Sequence, residues 1–359
     1  MSTPTPIISA VIPCRNERDH IEECLNSILQ QDCPPGDFEV IVADGMSDDG
    51  TREILHRMAR ENPRLRVVDN PKRITAAAMN LGIQHSRGKY VAIMGAHNRY
   101  AKDYLLQGVR VSAEREVDNV GGAMMCESTT KTQKAIAAAH HSPFSAGGAR
   151  WHDPNYEGPA DTVFGGVYRR AVFDKIGLFD EELIRNQDDE LNLRLTRSGG
   201  KIWQSPLIKS WYTPRGAISA LFRQYTQYGY WKVRVIQKHR LPASIRHLVP
   251  ASFVLALILL LPLSLLHPLA GWLWLLGVLA YAAANLFASI STAAREGWEL
   301  LPLLPAVFAC YHFGYGYGFL HGLVDFLVLR RRPDNRFANL TRGSSNTNAA
   351  SSTASGKTP

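Results

Sequence analysis

The chain has 359 residues, of which 45% are hydrophobic and 20% charged, and a formal net charge of +8. Such a length and mix belong to a globular protein with one large domain or two ordinary ones, and exclude collagen-like, low-complexity and disulfide-scaffold chains. The basic excess raises nucleic acid as a partner, but eight Lys and Arg with no acid lie between Lys209 and Arg246, directly before a long apolar run, so their placement favours anionic lipid headgroups over nucleic acid.

The opening MSTPTPIISAVIP has neither a basic flank nor a long apolar core, so no cleaved signal peptide is expected and the polar part should lie in the cytoplasm. Ile7 to Ile12 is a β-branched run that reads as a strand, and Arg15 to Gln30 carries Ile21, Cys24, Leu25, Ile28 and Leu29 at helical spacing. Phe38 to Ala43 repeats the strand signal, Thr51 to Arg60 the helix, Arg64 to Val68 a strand, Thr75 to His85 a helix and Tyr90 to Met94 a fourth strand. This alternation predicts an α/β fold with a mostly parallel sheet and helices on both faces, whose ligands sit beyond the carboxyl ends of the strands. From Val120 onward the pattern gives way to Gly-rich and aromatic loops, including Gly147 to Gly166, before a helix expected from Asp189 to Ser198.

Leu248 to Ile290 contains no Lys, Arg, Asp or Glu, and its two halves, Leu248 to Leu266 and Leu269 to Ile290, are each long enough to span about 30 Å of hydrocarbon. A third run, Leu300 to Leu329, is broken by Pro302, Pro305, Gly314, Gly316, Gly318 and Asp325 and ends at Arg330, Arg331 and Arg332. Three full crossings would put those arginines outside, against the positive-inside bias, so this run is expected to be re-entrant or interfacial unless it spans. The expected organisation is a cytoplasmic domain over residues 1–240, a membrane region over 241–332 and a disordered tail over 333–359, the last rich in Ser, Thr and Asn.

Three short stretches carry chemistry: VIPCRN at Val11–Asn16, DGMSDDGT at Asp44–Thr51 and NQDDELNLRL at Asn186–Leu195. Asp44 ends an apolar strand at a glycine turn, where its carboxylate could accept from a nucleobase N–H; the competing role is turn former. Asp48 and Asp49 precede a helix, and capping accounts for at least one of them. An EF-hand is excluded, because Met46 offers no oxygen at the third loop position and Asp49 stands where glycine is required. Asp188, Asp189 and Glu190 crowd the start of a helix; one that faces the cleft can serve as a general base, and spacing does not choose among them. Cys14, Cys24, Cys33, Cys126 and Cys310 form no C-x-x-C pair and are read as reduced thiols, and the adjacency of His140 and His141 argues against a shared metal site. Gln224, Tyr225, Tyr228, Tyr230 and Trp231 form an aromatic stretch suited either to stacking on sugar or base or to anchoring an interfacial helix.

Taken together, VIPCRNE, ADGMSDDGT, KYVAIMGAH, DTVFGGVYRRAVFDKIGLFDEEL, RNQDDELNLRL and QYTQYGYWK resemble family 2 inverting glycosyltransferases of the GT-A fold, and more narrowly the membrane-bound ExoA-like enzymes of succinoglycan-type exopolysaccharide assembly. The resemblance runs from about Ile8 to Asp325. It implies that Pro13, Arg15, Asn16, Glu17 and Asp44 hold the nucleoside of a nucleotide-sugar donor, that Asp188 is the catalytic base, and that Gly165 and Gly166 border donor and acceptor sugars, with Asp189 and Glu190 beside them. Gln224, Tyr228 and Trp231 match the segment that closes over the diphosphate.

The sequence departs from the family at Gly95, Ala96 and His97, where an Asp-x-Asp usually holds a divalent cation; His97 remains as an imidazole ligand for Mg²⁺ or Mn²⁺. Gln187 likewise stands where many relatives carry Glu, leaving Asp189 and Glu190 as the acids that can raise the pKa of Asp188. The activity implied is transfer of a hexose, from a UDP-linked donor, to a lipid-linked acceptor of the polyprenyl diphosphate type at the inner membrane. Two alternatives compete. A processive polysaccharide synthase has little material for a channel in two or three apolar segments, and a non-catalytic membrane scaffold, suggested by the missing Asp-x-Asp, is opposed by retention of Asp44 and Asp188.

Overall fold

A computed structural model of the protein describes residues 5–33, 38–147, 150–240, 242, 244–331 and 337. The first half alternates as expected: strand β1 (Ile8–Cys14), helix α1 (Ile21–Leu29), β2 (Phe38–Asp44), α2 (Thr51–Glu61), β3 (Leu65–Asp69), α3 (Thr75–His85), β4 (Tyr90–Ile93), β5 (Asn98–Tyr100), α4 (Tyr104–Glu114), β6 (Asn119–Gly122), β7 (Met124–Cys126), α5 (Lys131–His140) and the short α6 (Pro143–Ala146). The second half runs β8 (Gly158–Pro159), β9 (Phe164–Arg169), α7 (Arg170–Ile176), α8 (Gln187–Arg197), β10 (Ile202–Gln204), β11 (Ser210–Tyr212), α9 (Ile218–His239), α10 (Val249–Leu263), α11 (Pro268–Glu296), α12 (Leu304–Ala309) and α13 (Tyr315–Gly322).

The main sheet has the order β3-β2-β1-β4-β9-β6-β10-β8. Strands β3, β2, β1 and β4 run parallel, β9 enters antiparallel between β4 and β6, and β10 pairs parallel with β6. A smaller sheet, β5-β11-β7, stands at the cleft end. Burial on both faces explains the nearly unbroken apolar run of β1: Ile8, Ala10 and Ile12 point into the core shared with α1 and α2, while Val11 points into the core beneath α3. Helix α3 lies close on β1 because Gly82 has no side chain; a Cβ there would stand 2.2 Å from Val11 Cγ1.

Two boundaries moved for local reasons. Helix α1 begins at Ile21 rather than near Arg15, because Asn16 turns into the left-handed region (φ 54°) and clasps the next loop: its N–H donates to Ser47 Oγ at 2.9 Å and its Nδ2 to Asp48 Oδ1 at 2.9 Å. Within the segment read as loop, Phe164 to Arg169 became a central strand.

Helices α10 and α11 form an apolar hairpin. With the turn that precedes it, α10 offers 19 residues, about 28 Å at 1.5 Å per residue, and α11 has 29. Both are long and apolar enough to cross a membrane, and the side chains around the hairpin turn are bare, Leu265 being 87% and Leu266 81% exposed. The far end of α11 folds back onto α5 and α12 through buried Ala288 and Ala293.

From Leu304 to Val328 the third apolar run follows one unbroken helical path, but not a uniform α-helix. It passes through α12, a π-helical turn at Cys310–Gly314, α13 and a second π-helical stretch at Leu323–Val328, and lies along α9. Glycines permit the approach: a Cβ on Gly229 would stand 2.0 Å from Tyr315 O, and one on Gly318 2.0 Å from Thr226 O. The basic run before the hairpin also turns inward. Arg234 pairs with Glu182 at 2.5 Å, Lys238 with Asp180 and Glu182, and Arg246 with Asp161, so these charges tie α9 and the root of α10 to the α/β domain. Apart from Phe337, the expected tail over 333–359 lies outside the described residues.

Candidate active site

One large cleft, with a cavity of about 770 Å³, opens beyond the carboxyl ends of the parallel strands, where sequence reasoning placed it. At one end it is lined by Pro13 and Cys14 at the end of β1, Arg15 and Glu17 beyond it, Gly45 after β2, Asn70 and Arg73 before α3, and Thr75 at the start of α3. It then passes His97, Gly165, Gly166, Asp188 and Asp189 and ends against Tyr228, Arg246, His247, Val249, Pro250 and Tyr315, at the root of the apolar hairpin. Polar chemistry and apolar helices thus share one continuous surface.

Not every expected nucleoside ligand reaches that surface. Asp44 is fully buried, and its carboxylate accepts from Ser47 Oγ at 2.5 Å, from Ser47 N–H and from Arg52 Nη1 at 2.6 Å, so it acts as the turn former in this structure. Asn16 braces the Ser47–Asp48 loop instead of lining the cleft. Asp49 accepts from the N–H and hydroxyl of Thr51 where α2 starts. Pro13, Arg15 and Glu17 do line the cleft.

Glu17 Oε1 lies 3.0 Å from His97 Nδ1, and the imidazole packs edge-on to Tyr212 at 5.5 Å between ring centres. Gly95 and Ala96 bring no side-chain ligand, and no group of three or more His, Cys, Asp or Glu placed to hold an ion occurs among the described residues. Glu17 and His97 therefore suit an ion that takes the rest of its ligands from substrate phosphates, the usual manner of Mg²⁺.

The three clustered carboxylates sort by partner. Left-handed Asn186 (φ 62°) starts α8, and its Nδ2 donates to Tyr228 O at 3.0 Å, fixing the first turn against α9. Glu190 turns away, held by Arg194 at 2.7 Å and facing His239 Nε2 at 2.9 Å. Asp189 borders the cleft but pairs with the Lys232 ammonium at 2.5 Å. Asp188 alone of the three faces the cleft with no ion pair among the described residues; its Oδ1 accepts the Asp189 N–H at 2.9 Å. The protein packed around Asp188, then the adjacent Asp189 charge, raise its pKa to about 6, while solvent in the open cleft works against the first effect. Asp189 thus supplies the acidic neighbour that Gln187 does not.

Residues 9–177 match the family model described as Glycosyl transferase family 2. The chain is 32% identical over 324 residues to the succinoglycan biosynthesis protein ExoA of Rhizobium meliloti (strain 1021), covering 90% of this chain and 96% of that protein. The chain belongs to glycosyl transferase family 2. A Methanococcus voltae relative is 26% identical over 324 residues, 88% of this chain and 97% of its own, and is named a dolichyl N-acetyl-alpha-D-glucosaminyl phosphate 3-beta-D-2,3-diacetamido-2,3-dideoxy-beta-D-glucuronosyltransferase. Among solved structures, the mannosyltransferase PcManGT from Pyrobaculum calidifontis, in complex with GDP-Man and Mn2+, superposes with a TM-score of 0.55 at 20% identity, covering 87% of this chain and 88% of that one, which places the α/β domain in the GT-A fold.

In this glycosyltransferase the α9 segment divides. Gln224 Nε2 donates to the Tyr228 hydroxyl at 2.9 Å and both side chains line the cleft, whereas Trp231 is 1% exposed and packs with Tyr230 and Phe326 in a separate core. Gly165 (φ 60°) and Gly166 keep the cleft floor low; a Cβ on Gly166 would stand 2.5 Å from Asn119 Oδ1. Sequence reasoning missed Arg73, Arg185, Arg215 and His152, all on the cleft wall. His152 lies with His140 at 4.3 Å between ring centres, and burial pushes its pKa down to about 3, so the pair is neutral. Isolated arginines and histidines in loops carry no periodic signal that would have exposed them.

Proposed function

We propose that this glycosyltransferase inverts the anomeric centre of a hexose as it moves the sugar from a UDP-linked donor to a lipid-linked acceptor of the polyprenyl diphosphate type, in assembly of an exopolysaccharide or other surface glycan. The observation that carries this reading is Asp188, an acid of raised pKa with no ion pair among the described residues, in a cleft that runs from the strand ends to the root of an apolar hairpin. Asp188 takes the proton of the acceptor hydroxyl as its oxygen bonds to the anomeric carbon, and the bond from that carbon to the diphosphate oxygen breaks in the same displacement. A divalent cation arriving with the donor would be held by His97 and Glu17 and would neutralise charge on the leaving diphosphate.

Pro13, Arg15 and Glu17 border the nucleoside, Gly165 and Gly166 the sugars, and Gln224 with Tyr228 the diphosphate. The hairpin sits in the inner membrane with the α/β domain on the cytoplasmic side, so an acceptor held in the bilayer is presented beside Asp188. The names of the relatives agree with this: one belongs to succinoglycan biosynthesis and another acts on a dolichyl phosphate-linked sugar.

Nucleotide release from UDP-sugars, measured on membranes carrying the chain with a lipid-linked acceptor extract, tests the reading. Acceptor-dependent release by the native chain that disappears in Asp188→Asn supports it; equal release by both removes Asp188 from the role of base.

A further inference from the structure

Apart from Arg15 and Arg73 at the strand-end side of the cleft, its Lys and Arg side chains fall into two groups. Lys232 and Arg246 are neutralised by Asp189 and Asp161. Arg185, in the loop before α8, and Arg215, in the loop between β11 and α9, form no ion pair among the described residues although both are only partly exposed. Arg185 is fixed in place, its Nε donating to Gln227 Oε1 at 2.9 Å and its Nη1 to Ile184 O at 3.2 Å. Arg215 buries Nε and Nη1 without any hydrogen-bond partner among the described residues. A guanidinium cannot shed its charge to relieve such a position, so each unbonded N–H keeps its desolvation penalty.

The two cations are also close enough to oppose each other. Burial of Arg185 and, against the attraction of Tyr228, the charge of Arg215 lower the pKa of Arg185, and both cations act on the Tyr228 phenol. Tyr212, which acts on that same phenol, packs against His97. Two like charges facing one cleft, with buried donors left open, are unfavourable in the free chain. A multiply charged oxyanion between them would turn repulsion into attraction and supply the missing acceptors, and planar guanidinium forks match phosphate oxygens in pairs.

We propose that Arg185 and Arg215 together form a phosphate-binding site, a fixed dication that receives the phosphate or diphosphate group of a substrate. The assignment rests on the transferase reading of the same cleft, in which such groups arrive from two sources, the nucleotide donor and the lipid-linked acceptor.

The test uses the full chain in lipid nanodiscs, native and as Arg185→Gln, Arg215→Gln and Arg215→Lys, with UDP, GDP and undecaprenyl phosphate as probes. Each Gln variant is expected to bind one class of probe about tenfold more weakly, the loss shrinking at high salt, while the thermal unfolding temperature of Arg215→Gln rises because a repulsive charge with unbonded donors is gone. Arg215→Lys, which keeps the charge without the fork, gives a smaller loss of the same sign. A loss confined to nucleoside diphosphates assigns the site to the donor, and one confined to undecaprenyl phosphate assigns it to the acceptor; either supports the site. Native-like affinity for every probe in all three variants overturns the arginine site and leaves the transferase reading standing, whereas a native chain that binds none of the probes overturns both.

Discussion

The Lys232 ammonium on α9 reaches the Asp189 carboxylate at 2.5 Å, across the seam between α9 and the first turn of α8. The contact decides which of two adjacent acids is free, since it occupies Asp189 and leaves Asp188 facing the cleft. It also tunes Asp188, whose raised pKa would stand higher without the nearby cation. Lys232→Met should therefore shift the acidic limb of the pH–rate profile upward. Leaving Asp189 without its partner should also destabilise the fold by about 2 kcal/mol, below the range for a fully buried pair because Asp189 is partly exposed. A pH profile of kcat/KM, taken beside thermal unfolding, reads both effects.

Asp188 itself links activity to stability with opposite signs. As a base it works only when ionised, so turnover should rise through about pH 6 and level off above it. Its folded-state pKa is raised, so the fold favours the protonated acid; that contribution is complete below the unfolded carboxylate pKa and is lost as the pH climbs through about 6. Asp188→Asn should abolish acceptor-dependent turnover while unfolding at a higher temperature than the native chain at pH 7.5, with the two converging near pH 4. Calorimetry at the two pH values checks it, and a variant less stable at pH 7.5 would contradict the raised pKa.

The parts of the chain that were legible in the sequence are those whose signal is local. Strands β1 and β2 announce themselves because burial on both faces demands unbroken apolar runs, and α3 because its small residues follow one another at helical length. The carboxylate cluster was visible, but its sorting was not: Lys232 and His239, which claim Asp189 and Glu190, come from more than forty residues away. Trp231 misled because an aromatic between basic residues has the same sequence signature whether it faces a ligand or, as here, packs on Phe326 from the third apolar run. The arginines at 185 and 215 were hidden for a related reason, since charge counted along a sequence does not say which cations meet an acid in space.

Asp44 separates a ligand role from a structural one. Its carboxylate is enclosed and engaged by Ser47 and Arg52. Asp44→Ala should lower stability by about 3 kcal/mol, through the lost turn bonds and an Arg52 left with Asp69 alone. Arg52→Met, which lies on α2 outside the cleft lining, should be the milder change and leave nucleotide affinity near native. Calorimetric titration of UDP into both variants, alongside thermal unfolding, distinguishes the roles: a nucleotide affinity that falls in Asp44→Ala without any loss of stability would show that the carboxylate touches the base after all.

The docking of the third apolar run on α9 depends on backbone closeness rather than on large side chains. With no Cβ at Gly318 or Gly229, carbonyl oxygens of the facing helix approach to positions that a methyl group would occupy. Gly318→Ala should force the two helices apart and destabilise by about 3 kcal/mol, at the upper end of what overpacking brings, because the obstacle is backbone and cannot swing aside. Gly277→Ala makes the comparison fair: it sits inside α11, where the nearest atom to a new Cβ is Leu257 Cδ2 at 3.8 Å, and it should be neutral or slightly stabilising through better helix propensity. Separation of α9 from α13 should also reach the cleft, since Tyr228 on α9 and Tyr315 on α13 both line it. Turnover in Gly318→Ala is therefore expected to fall together with thermal stability while Gly277→Ala retains both; equal behaviour of the two variants would mean that α13 and α9 are not held by this close crossing.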